Sequence, residues 1–166
     1  MRLTQFSGYG LRVLIFAGLK GSELSTIAEI ADAYGVSKNH LMKVVQQLVN
    51  EGFLYSRRGK NGGVRLAQDP EQITIGSVVL AMEPSFGVAE CMRAGNDCAL
   101  TPVCRLRNKL NEANRAFLQV LDDVTLADIL ADKPHRDTLR DLLQLELAQK
   151  PRVSAPRHAP SVAARA

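Results

Sequence analysis

The chain has 166 residues, 46% apolar with 5% aromatic and no Trp, which is the balance of a single helical globular domain with a core able to fold alone. No run approaches the roughly twenty apolar residues that span a bilayer, so a membrane-spanning class is excluded. The net charge of +4 is unevenly spread: residues 36–66 hold Lys38, Lys43, Arg57, Arg58, Lys60 and Arg65 against Glu51 alone, residues 67–149 hold thirteen acids against eight bases, and residues 150–166 hold four bases and no acid. A basic segment beside an acidic body points to one face made for a polyanion.

In chain order, residues Met1 to Leu19 lack the small-residue cleavage pattern of a leader, and Arg12 interrupts their apolar stretch. A cytoplasmic protein is expected. Leu3, Phe6, Leu11, Leu14, Ile15 and Leu19 recur at helical spacing, although Gly8 and Gly10 weaken that helix. Thr26-Ile-Ala-Glu29 has the form of a capping box and opens a short helix through Ala33. Gly35 supplies a turn, and Ser37 is the N-cap of a helix that buries Leu41, Val44, Val45 and Leu48 and stops near Gly52. Two helices across a short Gly-containing turn make a helix-turn-helix signal.

Phe53 to Arg57 and Val64 to Leu66 are β-prone, and Arg58-Gly-Lys-Asn-Gly-Gly63 between them tolerates positive φ, so a hairpin wing is predicted. Its glycines lack the spacing and the strand-loop-helix context of a nucleotide loop, which leaves DNA phosphates as the better ligand. A helix over Ile73 to Met82, capped by Thr74 and ended by Pro84, comes next. Thr101-Pro102 reads as the N-cap and first turn of a long helix to about Asp123. Leu106, Leu110, Ala113, Phe117, Val120 and Val124 alternate four and three apart along it, a heptad-like seam for a partner helix. Thr125 caps a brief helix, Asp137 to Gln149 form another, and residues 150–166 read as a disordered basic tail.

The first turns of the second helix of a helix-turn-helix meet base edges while flanking groups grip phosphates. Here they carry Ser37, Lys38, Asn39, His40 and Lys43, with Asn39 suited to adenine and the lysines to guanine or phosphate. Arg57, Arg58, Lys60 and Arg65 on the wing complete a DNA-binding face. The second motif is a trio of cysteines, Cys91, Cys98 and Cys104, the only ones in the chain. Their intervals are too wide for a zinc knuckle, and no His lies between Leu41 and Lys133 to complete a local zinc site. In a reducing compartment three thiolates in one loop suit a soft metal or an iron–sulfur cluster. Cys104 falls at about the third residue of the long helix, where the dipole favours an anion. No nucleotide-binding fingerprint and no paired acid–base constellation points to an enzyme.

Four separated stretches carry a family resemblance: Met1 to Arg12, Tyr34-Gly-Val-Ser-Lys-Asn-His-Leu-Met-Lys43, Arg58-Gly-Lys-Asn-Gly-Gly-Val-Arg-Leu66 and Thr101-Pro-Val-Cys-Arg-Leu106. Across roughly residues 1–130 the chain resembles the NsrR-type nitric-oxide-sensing iron–sulfur repressors, within a larger family of winged-helix iron–sulfur regulators. The resemblance implies a homodimer on a double-stranded DNA operator, nitric oxide as signal, and a 2Fe–2S or 4Fe–4S cluster on Cys91, Cys98 and Cys104. It also exposes a departure. The family's usual Asp between the Phe and Tyr-Gly of the opening motif, which can reach the partner's cluster, is Gly8 here, so water, a small thiol, Glu90 or Ser7 must take its place.

The expected fold is mainly α with a small β-hairpin wing, divided into a winged helix-turn-helix domain (1–83), a cysteine-rich loop (84–104), a dimerisation helix with C-terminal helices (105–149) and a tail (150–166). The expected function is cluster-dependent repression of nitrosative-stress genes. The alternative is a thiol-redox or iron–sulfur-status regulator of the same fold.

Overall fold

Threonine caps set the helical frame of the computed structural model, which describes residues 2–93 and 95–145. The Thr4 hydroxyl accepts the Ser7 N–H at 3.2 Å and starts α1, Gln5–Lys20. Thr26 starts α2, Ile27–Tyr34, with both halves of the capping box formed. Partial burial pushes the Glu29 carboxyl up, but hydrogen bonds from the Thr26 backbone and hydroxyl, together with Lys20, outweigh it and hold the group below its ordinary range. Gly35 then takes a left-handed conformation (φ 61°), which reverses the chain into α3, Lys38–Asn50. Ser37 stands at the N-cap of α3 without a side-chain bond to the helix.

Strands β1, Leu54–Arg57, and β2, Gly63–Leu66, pair antiparallel with Leu54 opposite Leu66 and Arg57 opposite Gly63. Leu54, Val64 and Leu66 face the core, so the hairpin is anchored at its base while its tip projects. Ser25 adds a one-residue bridge to Val64, with both backbone bonds at 2.8 Å, tying the wing to the start of α2. A Cβ on Gly62 would run into the carbonyl of Arg57, which is why the tight return needs glycine there.

Thr74 caps α4, Ile75–Met82, and Thr125 caps α6, Leu126–Leu130, through a second capping box with Asp128. The two starts are stitched together: Ile75 N–H donates to Val124 O and Leu126 N–H to Ile73 O, both at 2.8 Å. The core is therefore shared by α1 (Val13, Leu14, Phe16), α2 (Ile30), α3 (Leu41, Val44, Leu48), α4 (Val78) and α6 (Leu126, Leu130). The short helix α6 thus completes the core of the N-terminal head. Between α4 and α6 runs α5, Arg105–Asp122, which has no fully buried residue. Its seam is only partly covered among the described residues: Leu110, Phe117 and Val124 are half-buried, while Leu106 and Val120 stand 66% and 65% exposed.

Two helix boundaries differ from expectation. Thr101 does not cap α5, because its hydroxyl donates to Asn96 Oδ1 at 2.7 Å; Cys104 takes the N-cap instead, its Sγ accepting the Arg107 N–H. Cys104 is accordingly the residue before the helix rather than its third. The last helix, α7, is Lys133–Leu142, starting after Asp132 with Pro134 in its first turn and ending ahead of the expected Gln149. The tail from residue 150 lies outside the described residues. Among the described residues no helix is long and apolar enough to cross a membrane.

Candidate nucleic-acid interface and cysteine loop

The apolar period of α3 decides what it offers outward. With Leu41, Val44, Val45 and Leu48 turned into the core, Lys38, Asn39, His40, Met42, Lys43, Gln46 and Asn50 are left exposed. Asn39, Lys43 and Gln46 follow one another at helical spacing on one face, with Ser37 exposed at the free N-terminus. A helix N-terminus without a side-chain cap leaves backbone N–H groups facing outward, an arrangement that suits phosphate.

The wing divides its basic residues between two sides. Register places Tyr55 opposite Arg65 and Arg57 opposite Gly63, so Arg57 and Arg65 share the outer face of the hairpin with Tyr55. There the Arg65 guanidinium lies over the Tyr55 ring at 5.1 Å, and Arg57 donates to Asn61 O. Arg57 therefore also holds the turn, where Gly59 and Asn61 have positive φ. Arg58 lines the opposite side, a groove shared with Met42, Gln46 and Val49 of α3. Lys60 is exposed at the tip. All nine candidate contacts expected from the sequence are solvent-facing; Arg58 lies across a groove from α3, and Arg57 lines both that groove and the outer face it shares with Arg65 and Tyr55. The same surfaces expose Tyr55, Met42 and Gln46, which are not among the contacts expected from the sequence.

The three cysteines lie on the segment between α4 and α5 and are all free and half-buried. Side chains shape this loop. Asn96 Oδ1 accepts the Cys98 N–H at 3.3 Å and the Thr101 hydroxyl, and its Nδ2 donates to Arg93 O. Arg107 joins two of the cysteines: its backbone N–H donates to Cys104 Sγ at 3.4 Å and its Nε to Cys91 O at 2.9 Å. Among the described residues no three Cys, His, Asp or Glu side chains stand together as a lone metal ion demands. The donor chemistry fits a larger, thiolate-held group: three thiols free of disulfides on one loop, one at a helix N-cap, with Gly95 at a positive φ. Of the two side chains considered as replacements at Gly8, Ser7 is fully buried and paired with the Thr4 hydroxyl at 3.0 Å, whereas Glu90 is exposed beside Cys91.

Hydrogen bonds fix the residues on either side of the loop's entry. Glu83, directly after α4, accepts the Thr4 backbone N–H at 2.7 Å and the Thr4 hydroxyl at 3.1 Å, holding the start of α1. Asn114 of α5 donates to Phe86 O at the loop's entry. Neither contact has a signature in the sequence, since each spans a long separation between ordinary surface residues.

Residues 3–132 match the family model of Rrf2, described as an iron-dependent transcriptional regulator. The chain is 49% identical over 146 residues to the HTH-type transcriptional regulator NsrR of Geobacillus kaustophilus, covering 87% of this chain and 97% of that one. Among solved structures it is similar to CymR, the global cysteine regulator of B. subtilis, at 26% identity and a TM-score of 0.63 over 79% of this chain and 97% of that one. It is likewise similar to IscR of T. potens, at 26% identity and a TM-score of 0.61 over 80% and 88% of the two chains.

Proposed function

This chain belongs to the Rrf2 family of iron-dependent transcriptional regulators, and on that premise we propose that it is a dimeric winged-helix repressor that holds an iron–sulfur cluster and senses nitric oxide. The carrying observation is the pairing of two features: an exposed, basic helix-and-wing face on the head, and a three-thiol loop that follows directly on Glu83, itself hydrogen-bonded to the start of α1. Ser37, Lys38, Asn39, His40 and Lys43 enter the major groove, with Asn39 reading a base edge. Arg57, Arg58, Lys60 and Arg65 grip the backbone on either side. The seam of α5 meets its twin from a second copy, setting two reading heads about one turn of DNA apart.

Cys91, Cys98 and Cys104 would hold the cluster as thiolate donors, and the cluster when bound would supply iron reactive towards nitric oxide. Arg107 positions the first and third of these donors through its bonds to Cys91 O and Cys104 Sγ. Glu83 and Asn114 connect the loop's entry to α1 and α5, so a change of loop shape reaches the reading head through Thr4. The genes controlled are those that answer nitrosative stress.

Anaerobically purified protein tests this reading. Iron and acid-labile sulfide in the wild type, lost in Cys98→Ala, together with operator binding that a nitric oxide donor abolishes, are the expected results. A colourless protein whose operator binding responds to oxidants through disulfides would establish the thiol-redox alternative instead.

A further inference from the structure

We infer that Met42 is a sequence-reading residue whose thioether side chain receives the C5-methyl of a thymine in the operator's major groove. The inference rests on the DNA-binding reading of α3 and deepens it. Met42 is 51% exposed, one turn beyond Asn39, on a stretch of α3 whose other outward residues are polar or charged. It lies on the flank of the reading face nearest the wing, where Ile27, Val45 and Val49 continue the apolar wall of a groove and Arg58 closes the far side.

A single exposed apolar side chain is ordinary on a protein surface. This one is placed where the face around it is otherwise built for hydrogen bonds and charge. The thymine methyl is the apolar group that the major groove displays, so an apolar side chain among polar readers senses a feature of thymine that a hydrogen-bonding lysine does not. Methionine suits the task because its unbranched, polarisable chain adapts to a methyl without a fixed shape. The adjoining basic groups Lys43 and Arg58 bring the backbone close enough to seat it.

The test uses cluster-loaded, full-length protein and an operator selected by it from a random duplex pool. Each thymine is replaced in turn by deoxyuridine, which removes the methyl and leaves every hydrogen-bonding group. One thymine in each half-site is expected to matter, weakening wild-type binding by about fourfold per methyl, since a buried methyl-sized group contributes ~0.8 kcal/mol. In Met42→Ala the same replacement should change affinity by less than about 1.5-fold, whereas Met42→Leu should keep the discrimination. The salt slope of Met42→Ala should equal that of the wild type, because no phosphate contact is lost. Wild-type protein that binds specifically but is indifferent to every deoxyuridine overturns the inference alone, as does methyl sensitivity that survives in Met42→Ala. Failure to select any operator overturns the reading of the head itself.

Discussion

The seam of α5 gives the sharpest test of assembly, and the structure selects which residues to probe. Leu110 and Phe117 are half-buried against their own chain, so substituting them confounds folding with association. Leu106 and Val120 stand 66% and 65% exposed, so Leu106→Glu/Val120→Glu disturbs the monomer little. Full burial of a Leu or Val side chain contributes about 1.5–3 kcal/mol, so covering the exposed two-thirds contributes about 1–2 kcal/mol at each position. A twofold axis uses both residues in both copies, which amounts to about 4–8 kcal/mol of association, or roughly three to six decades in the dimer dissociation constant. Ordering of side chains at the interface favours the lower end. Sedimentation equilibrium should therefore show a micromolar wild-type dimer become a monomer, with a melting temperature no lower than that of dilute wild type. Operator binding should weaken with it, since one head alone reads one half-site. A double variant that remains dimeric would refute the seam and assign the exposed stripe to something other than a second copy.

Three further outcomes are expected. Arg58→Ala and Lys60→Ala should weaken binding to all sequences and each reduce the log–log salt slope by about 0.9, whereas Asn39→Ala should leave the slope alone and narrow the gap between operator and random DNA in a salt titration. Glu29 has a folded pKa below its ordinary value of 4.5, so its contribution to stability is present above that value and is lost as pH falls through the lower folded one; Glu29→Gln should flatten that part of a melting-temperature profile, and an unchanged acid limb would contradict the capping box. At Gly8 an added Cβ meets nothing within 4 Å, so Gly8→Asp should fold normally, place an acid in the favourable first turn of α1 and slow cluster loss in air; equal or faster bleaching would show that position 8 does not face the partner's iron.

Much of the head was legible because its signals are local. Thr26 with Glu29, Thr74 and Thr125 each announce a helix within four residues, and the glycine-rich return between Arg57 and Val64 has few conformations other than a hairpin. Where the structure differs, a contact outside the short motif overrides the motif's own preference. Thr101-Pro102 has the form of a helix start, but Asn96 takes the threonine hydroxyl once the loop folds back, and the start moves to Cys104. The apolar period of α5 does not by itself say whether its partner lies in the same chain; in the structure Leu110 and Phe117 are half-buried while Leu106 and Val120 remain exposed. Likewise Leu126 and Leu130 look like a minor amphipathic turn in the sequence, while packing beside Gly18 and Leu66 makes them core.

The same division between local and distant contacts bears on how a signal at the thiols reaches DNA. The head is closed by some twenty buried apolar side chains, and unpacking any one costs several kcal/mol. By contrast, none of the described residues from Pro84 to Cys104 is fully buried, and the loop is held by hydrogen bonds from Asn96, Arg107 and Asn114. Each such bond contributes about 0.5–1.5 kcal/mol net, so rearranging the loop costs a few kcal/mol. A few kcal/mol is also the differential that moves a two-state equilibrium across its midpoint. On the proposed function, the loop would change shape at a cost lower than unpacking the core, and Glu83 would link that change to Thr4 at the N-cap of α1. Because α1 packs directly on α3, a shift at the start of α1 would change the pose of the proposed reading helix without unfolding the head.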